Sequence, residues 1–273
     1  EEMVTADRGN TALFEKFAAN LDRTNRGQFA PAQILKCVEA AVNAENFDAG
    51  MAVERECFAA CMSHPQREAL IHIFFAERAA NKIPGLAKDV PLLEINKGSV
   101  IGAGTMGGGI AMCFANAGIP VRIHDNDPEN LAKGVKVIEG NYARTVSKGR
   151  LTQDEMDKRM SLIIATENFD DLGDADVVIE AVYENLDLKK EIFTRLDKVM
   201  KQGALLATNT SGLDVDAIAA TTSRPEFVCG MHFFSPANVM RLLEVVRGEK
   251  SSPVVLGTAM ALGKRLGKVS VMA

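Results

Sequence analysis

Apolar residues change rhythm near residue 97 of this 273-residue chain. Before that point they recur at helical spacing. Leu13, Phe14, Phe17 and Leu21 mark one helix over Thr11–Asp22. Ile34, Leu35, Val38 and Val42 mark a second behind Pro31, a residue suited to a helix's first turn. Asp48 is placed to cap a third, Met51–Cys61. Ser63-His64-Pro65 starts a fourth, Glu68–Asn81, which Pro84-Gly85 ends. A mixed connector leads to Lys97, and no strand pattern precedes Gly98. Residues 1–95 are therefore expected to be an all-helical segment.

From Gly98 onward short apolar runs alternate with helical patterns. The runs predict strands near 98–101, 120–124, 162–165, 176–180, 204–208, 227–231 and 242–246. Helices are expected near 105–117, 128–148, 153–160, 187–200, 214–220 and 252–266, the third opened by a capping box of Thr152 and Glu155. Such alternation implies right-handed crossovers and an α/β fold, a doubly wound, mostly parallel sheet of Rossmann type over 96–273. Ser99 departs from this pattern, a polar residue where a buried strand calls for an apolar one. Val269-Ser270-Val271 opens a further strand at which the sequence ends, so a truncated chain is expected.

The turn between the first strand and helix carries Gly102, Gly104 and Gly107 in the spacing G-x-G-x-x-G. The first glycine permits a tight turn, the second a close approach of backbone to pyrophosphate, and the third close packing of helix on sheet. The helix start offers free N–H groups and a favourable dipole to phosphate. Asp125 closes the second strand, where it accepts from ribose hydroxyls and repels a 2′-phosphate. NAD is the expected cofactor.

Composition narrows the partners. Hydrophobic residues make up 47% of the chain, enough for a substantial core, and the net charge of −5 comes without a basic tract, against nucleic acid. No apolar stretch reaches membrane-span length, and the first residues do not read as a signal peptide. The five cysteines are scattered, which fits free thiols in a reducing compartment. Cys57 and Cys61 share a helix face without a second ligand pair, so packing is expected rather than metal.

Ligands of open α/β sheets sit beyond the carboxyl ends of strands. There this chain places Ala181–Glu184, Asn209-Thr210-Ser211, and His232 directly after the strand 227–231. An imidazole at His232 can take a proton near neutral pH, as alcohol oxidation requires. Glu244 lies in an apolar run and needs a partner if buried; His232 is a candidate. On residues alone, His232 also reads as a packed core histidine and Glu244 as a solvated edge residue. Ser211 reads either as a helix cap or as a donor to a substrate oxygen. Lys148 and Arg150 read as a solvated face or as a contact for a phosphate-bearing substrate tail. His64 and His72 fall in helical patterns, and His124 packs beside the ribose acid.

Taken together, VIGAGTMGGGIA, IEAVYENLDLK, NTSGL and HFFSPANVMRLLEV resemble the NAD-binding domain of the L-3-hydroxyacyl-CoA dehydrogenases, in order and spacing, over roughly 97–273. The stretch AVERECFAACMSHPQREALIHIFFAERAANKIPG resembles the helices that join the hydratase/isomerase region to the dehydrogenase in multifunctional fatty-acid β-oxidation enzymes. The resemblance implies oxidation of (3S)-3-hydroxyacyl-CoA with NAD, an acyl-CoA thioester as substrate, His232 as catalytic base, Glu244 as its acidic partner and Ser211 at the substrate oxygen. It implies Gly102, Gly104, Gly107 and Asp125 at the cofactor, Glu184 and Lys189 near its nicotinamide-ribose end, and Lys148 near the CoA moiety. The family's substrate-binding Asn, its C-terminal helical domain and the hydratase core with paired glutamates have no counterpart in this sequence, and a homo-oligomer and a bacterial cytoplasm rather than peroxisome or mitochondrion are expected. Two other functions fit the residues: a NAD-binding module without turnover, and a Rossmann dehydrogenase for a different hydroxy acid.

Overall fold

In the computed structural model, which describes residue 4 and residues 6–80, 83, 85–87 and 89–273, the N-terminal pattern becomes four helices. These are α1 (Thr11–Thr24), α2 (Ala30–Asn43), α3 (Phe47–Ser63) and α4 (Gln66–Ala80). Asn46, not Asp48, caps α3, because its side chain accepts from the Ala49 N–H while Asp48 already lies in the first turn. Asn81 and Pro84, expected at the end of α4, lie outside the described residues.

The chain divides into two compact units, Glu1–Arg78 and Ala79–Ala273. The expected cut at 95/96 falls inside the second unit, because the connector is tied to the sheet layer. Leu93 N–H donates to Thr258 Oγ1 at 2.9 Å, and the N–H groups of Asn96 and Lys97 donate to Asp176 Oδ2 at 2.7 and 2.8 Å.

The second unit runs β1 (Gly98–Ile101), α5 (Thr105–Asn116), β2 (Val121–His124), α6 (Pro128–Ser147), α7 (Gln153–Ser161), β3 (Ile163–Thr166) and β4 (Val177–Glu180). It continues α8 (Leu186–Val199), β5 (Leu205–Thr208), α9 (Val215–Ala219), β6 (Val228–Phe233), β7 (Leu242–Val246), α10 (Pro253–Arg265) and β8 (Val269–Met272). The strands form one sheet in the order β3-β2-β1-β4-β5-β6-β7-β8, whose first six positions follow the doubly wound dinucleotide-binding order. All neighbours are parallel except β6 and β7, which are antiparallel. Strands β1, β4 and β5 are buried at every residue, as strands covered on both faces must be. Two apolar clusters account for that burial, one built on Val100, Ile110, Phe114 and Ile123, the other on Val178, Phe193, Leu196 and Leu206. The Thr152–Glu155 capping box opens α7 as the sequence indicates. Ser99 is fully buried with a hydroxyl that has no hydrogen-bond partner, and nothing in the fold explains it.

Candidate functional site

The parallel strands place their carboxyl ends on one edge, and the glycine turn is cut to fit there. Gly102 has φ +99°, and a Cβ on it would stand 2.7 Å from the Ala181 carbonyl oxygen. A Cβ on Gly107 would stand 1.8 Å from the Gly102 carbonyl oxygen. The fold itself therefore requires both glycines. Gly104 differs: it is the N-cap of α5, and a Cβ there would meet nothing within 4 Å. That open space beside the free N–H groups of a helix start fits a pyrophosphate. Asp125 follows β2, with Oδ2 accepting from Ala103 N–H at 2.8 Å and Oδ1 from Asp127 N–H at 3.0 Å. Its carboxylate is thereby fixed beside the turn, where a ribose diol would lie. These residues fit NAD.

Strand β6 runs two residues beyond the expected Met231, so His232 lies within the strand rather than after it. The cause is β7, which pairs antiparallel and sets His232 directly opposite Glu244. Opposed residues of an antiparallel pair share a face. The His232 Nδ1 to Glu244 Oε2 distance is 2.8 Å, with both side chains partly exposed. A carboxylate only accepts, so in the neutral ring Nδ1 carries the proton and Nε2 keeps its lone pair. The Phe234 ring lies 4.6 Å from the imidazole, centroid to centroid. Asn209 Oδ1 accepts from Phe233 N–H at 2.8 Å, which ties β6 to the end of β5. The segment after β6 is held against the cofactor helix: a Cβ on Gly109 would stand 3.0 Å from that of Ala237, and Lys268 Nζ donates to the carbonyls of Ala237 and Met240.

Ser211 is not a helix cap. Asp214 caps α9, and Ser211 instead donates its N–H at 2.9 Å and its hydroxyl at 3.2 Å to Glu184 Oε1. Thr210 Oγ1 donates to the same oxygen at 2.5 Å. Burial works against ionisation of Glu184, but the Thr210 hydroxyl, the Ser211 N–H, the Lys189 charge and the Ser211 hydroxyl outweigh it and hold its pKa below the ordinary value. Lys189 is fully buried, with Nζ 2.7 Å from Glu180 Oε1 and 3.5 Å from Glu184 Oε2. Glu180, fully buried at the end of β4, is not among the residues that the sequence singles out. Its signal was an acid ending an apolar run, much as an acid within such a run singled out Glu244.

Lys148 stands apart. Helix α6 begins near Asp125 and has 20 residues, about 30 Å of length, and Lys148 is exposed at its far end. His64 caps the end of α3, His72 is exposed on α4, and His124 is buried against the Thr166 carbonyl at 3.0 Å. All five cysteines are free thiols, and among the described residues no His, Cys, Asp and Glu cluster could hold a metal ion. No helix among them is long and apolar enough to cross a membrane.

Known proteins resemble this chain. The family model described as 3-hydroxyacyl-CoA dehydrogenase, NAD binding domain, matches residues 97–273. The peroxisomal bifunctional enzyme of Danio rerio is 41% identical over 96% of this chain, and the fatty acid oxidation complex subunit alpha of Psychrobacter cryohalolentis is 37% identical over 89% of it. Relatives thus include peroxisomal and bacterial proteins, and the chain spans only 36% and 34% of these two. Among solved structures, 3-hydroxybutyryl-CoA dehydrogenase from Escherichia coli superposes with a TM-score of 0.65 at 38% identity, covering 66% of this chain and 38% of that one. The dehydrogenase part of a multifunctional enzyme from C. elegans gives 0.63 at 30% identity, covering 73% and 47%. The match over most of the chain, on a doubly wound sheet with the glycine turn in place, makes this chain a member of the 3-hydroxyacyl-CoA dehydrogenase NAD-binding domain family, which are NAD-dependent oxidoreductases.

Proposed function

We propose that this chain is the NAD-binding part of a multifunctional fatty-acid β-oxidation enzyme that oxidises (3S)-3-hydroxyacyl-CoA to 3-ketoacyl-CoA. The observation that carries the reading is the His232–Glu244 couple, 2.8 Å apart on the reactive edge of the sheet. Bound NAD supplies the hydride acceptor. Nε2 of His232 takes the hydroxyl proton as the C3–H bond breaks, and Nδ1–H donates to Glu244, which stabilises the imidazolium. Ser211, in the turn after β5, directs a hydrogen bond to the substrate oxygen. Gly102, Gly104, Gly107 and Asp125 hold the dinucleotide, with Glu184 toward its nicotinamide ribose and Lys189, wholly buried, behind Glu184 rather than against the cofactor. Lys148, a helix length from the turn, contacts the distal part of the CoA moiety.

The N-terminal helices over residues 1–95 take the place of the segment joining a hydratase/isomerase region to the dehydrogenase. Support comes from the Danio rerio relative, whose similarity extends over 96% of the chain and so includes these helices.

Two measurements test the reading. NADH fluorescence titration and acetoacetyl-CoA reduction are run on the chain and on the intact enzyme. His232→Gln in the intact enzyme is expected to lower turnover at least about a hundredfold, with NADH affinity kept. Wild-type turnover in that variant removes His232 from the chemistry, and activity on a free hydroxy acid but on no CoA thioester rejects the substrate class.

A further inference from the structure

Glu180 is an expensive residue to bury. Its carboxylate is wholly out of solvent, as is the Lys189 ammonium it holds at 2.7 Å. It also accepts from Val182 N–H at 2.8 Å and from Thr208 Oγ1 at 2.7 Å, so its capacity is well used. A buried ion pair seldom adds stability over an apolar pair of the same shape. This one lies at the carboxyl ends of β4 and β5, beside the candidate reactive groups, where buried charge is a mark of function.

The hydrogen bonds lead outward one step at a time. Glu180 holds Lys189, Lys189 lies 3.5 Å from Glu184 Oε2, and Glu184 Oε1 receives the Thr210 hydroxyl and both donors of Ser211. Thr210 Oγ1 in turn accepts from Leu213 N–H at 3.0 Å, so Glu184 anchors the Thr210–Leu213 part of the turn after β5. We propose that Glu180 is a positioning residue for the dehydrogenase reaction: it holds Lys189 behind Glu184, and through Glu184 it sets the hydroxyl of Ser211. The proposal rests on the role of Ser211 given above.

Proton counting gives the physical content. Ser211 has one hydroxyl proton and two acceptors for it, Glu184 and a substrate oxygen. The Lys189 charge at the far oxygen of Glu184 draws off part of that carboxylate's pull. The Ser211 proton is then free to turn to the substrate oxygen as negative charge develops there. With Glu180 neutral, Lys189 has only Glu184 as an anionic partner. Glu184 is drawn back, and Ser211 loses both its anchor and its alignment.

The test is a double-mutant cycle in the intact enzyme, followed by acetoacetyl-CoA reduction with NADH. Glu180→Gln alone is expected to lower kcat between about tenfold and about a hundredfold, the scale of a misplaced reacting group. KM for NADH is expected to rise, because Glu184 also faces the nicotinamide ribose, so kcat is read at saturating NADH. KM for acetoacetyl-CoA stays within about twofold, because the lost interaction belongs to the transition state. Added to Ser211→Ala, the same change is expected to cost nothing further, since both act through one hydroxyl. A residue that serves only the fold gives multiplying losses instead, and that result overturns the proposal. Wild-type kcat in Glu180→Gln, with Ser211→Ala impaired, overturns the proposal and leaves the Ser211 role standing. Wild-type kcat in Ser211→Ala overturns both. Should Glu180→Gln fail to fold, the Glu180→Gln/Lys189→Met pair, neutral and of similar volume, replaces it in the cycle: no further loss on top of Ser211→Ala supports the proposal, and multiplying losses or wild-type kcat overturn it.

Discussion

The two units treat apolar surface in opposite ways. In the second, helices cover both faces of the sheet, and residues such as Val100, Ile179 and Leu206 are wholly out of solvent. In the first, only Phe14, Val42 and Cys57 are buried among the described apolar residues. Helix α4 buries none, and Leu70, Ile73, Phe74 and Phe75 are each more than half exposed. Hydrophobic stabilisation follows the area removed from water, at about 25 cal/mol per Å². The second unit is therefore the one whose stability rests on packing, and the difference shows that helical periodicity marks an apolar face without saying what covers it.

The sharpest way to probe this contrast is to cut a buried polar tie in the second unit. Arg224 is buried and binds the Asp197 carboxylate at 3.1 Å and the carbonyls of Asp197, Met200 and Lys201, which closes the end of α8. Arg224→Met strands these groups, and thermal or urea unfolding is expected to register a loss of about 3 to 5 kcal/mol. A loss below about 1 kcal/mol would show that α8 is held by apolar contacts alone. Gly107→Ala comes next, at about 3 kcal/mol. Its new Cβ meets backbone rather than a flexible side chain, and NADH binding should vanish with it.

Acid gives a smaller effect. Burial opposes ionisation of Asp176, but the Lys201 ammonium, the N–H groups of Asn96 and Lys97 and the Lys201 charge hold its pKa below the ordinary value. Its stabilisation is thus present above the unfolded value, about 3.9, and is lost as pH falls through the lower folded value. Asp176→Asn is expected to lower the melting temperature at pH 7, with the gap from wild type closing below about pH 4. A constant gap would assign the effect to hydrogen bonding rather than charge. The smallest response belongs to the first unit. Leu70→Gln and Phe75→Gln are expected to change stability by no more than about 0.5 kcal/mol, and a larger cost in a melt of the chain would show that α4 is covered after all.

Much of the second unit was legible because each element carries its own local signal. Apolar runs bounded by turns gave the strands within one or two residues, the capping box gave α7 its start, and the glycine spacing gave the cofactor turn. The misses share a cause. Asp48 looked like a cap, but Asn46, two residues earlier, has its side chain on the Ala49 N–H. Ser211 looked like a cap, but Asp214 holds that place and Ser211 turns to Glu184, 27 positions away in the chain. Strand β6 ran past its expected end because its antiparallel neighbour extended the ladder. The local pattern offered more than one partner or end point in each case and did not rank them: two neighbouring cap residues for α3, a nearby cap and a distant carboxylate for Ser211, and a distant strand for β6.

By itself the sequence determined the alternation of strands and helices, the glycine turn and its acid, and the residue types available for proton transfer. These follow from side-chain period and backbone freedom, which act over a few positions. Only the tertiary structure decided that His232 faces Glu244, that Ser211 and Thr210 converge on Glu184, and that Glu180 holds Lys189 beneath them. Those contacts join residues from different strands and loops, and strand register, set by the packing of the whole sheet, is what brings them within hydrogen-bonding reach.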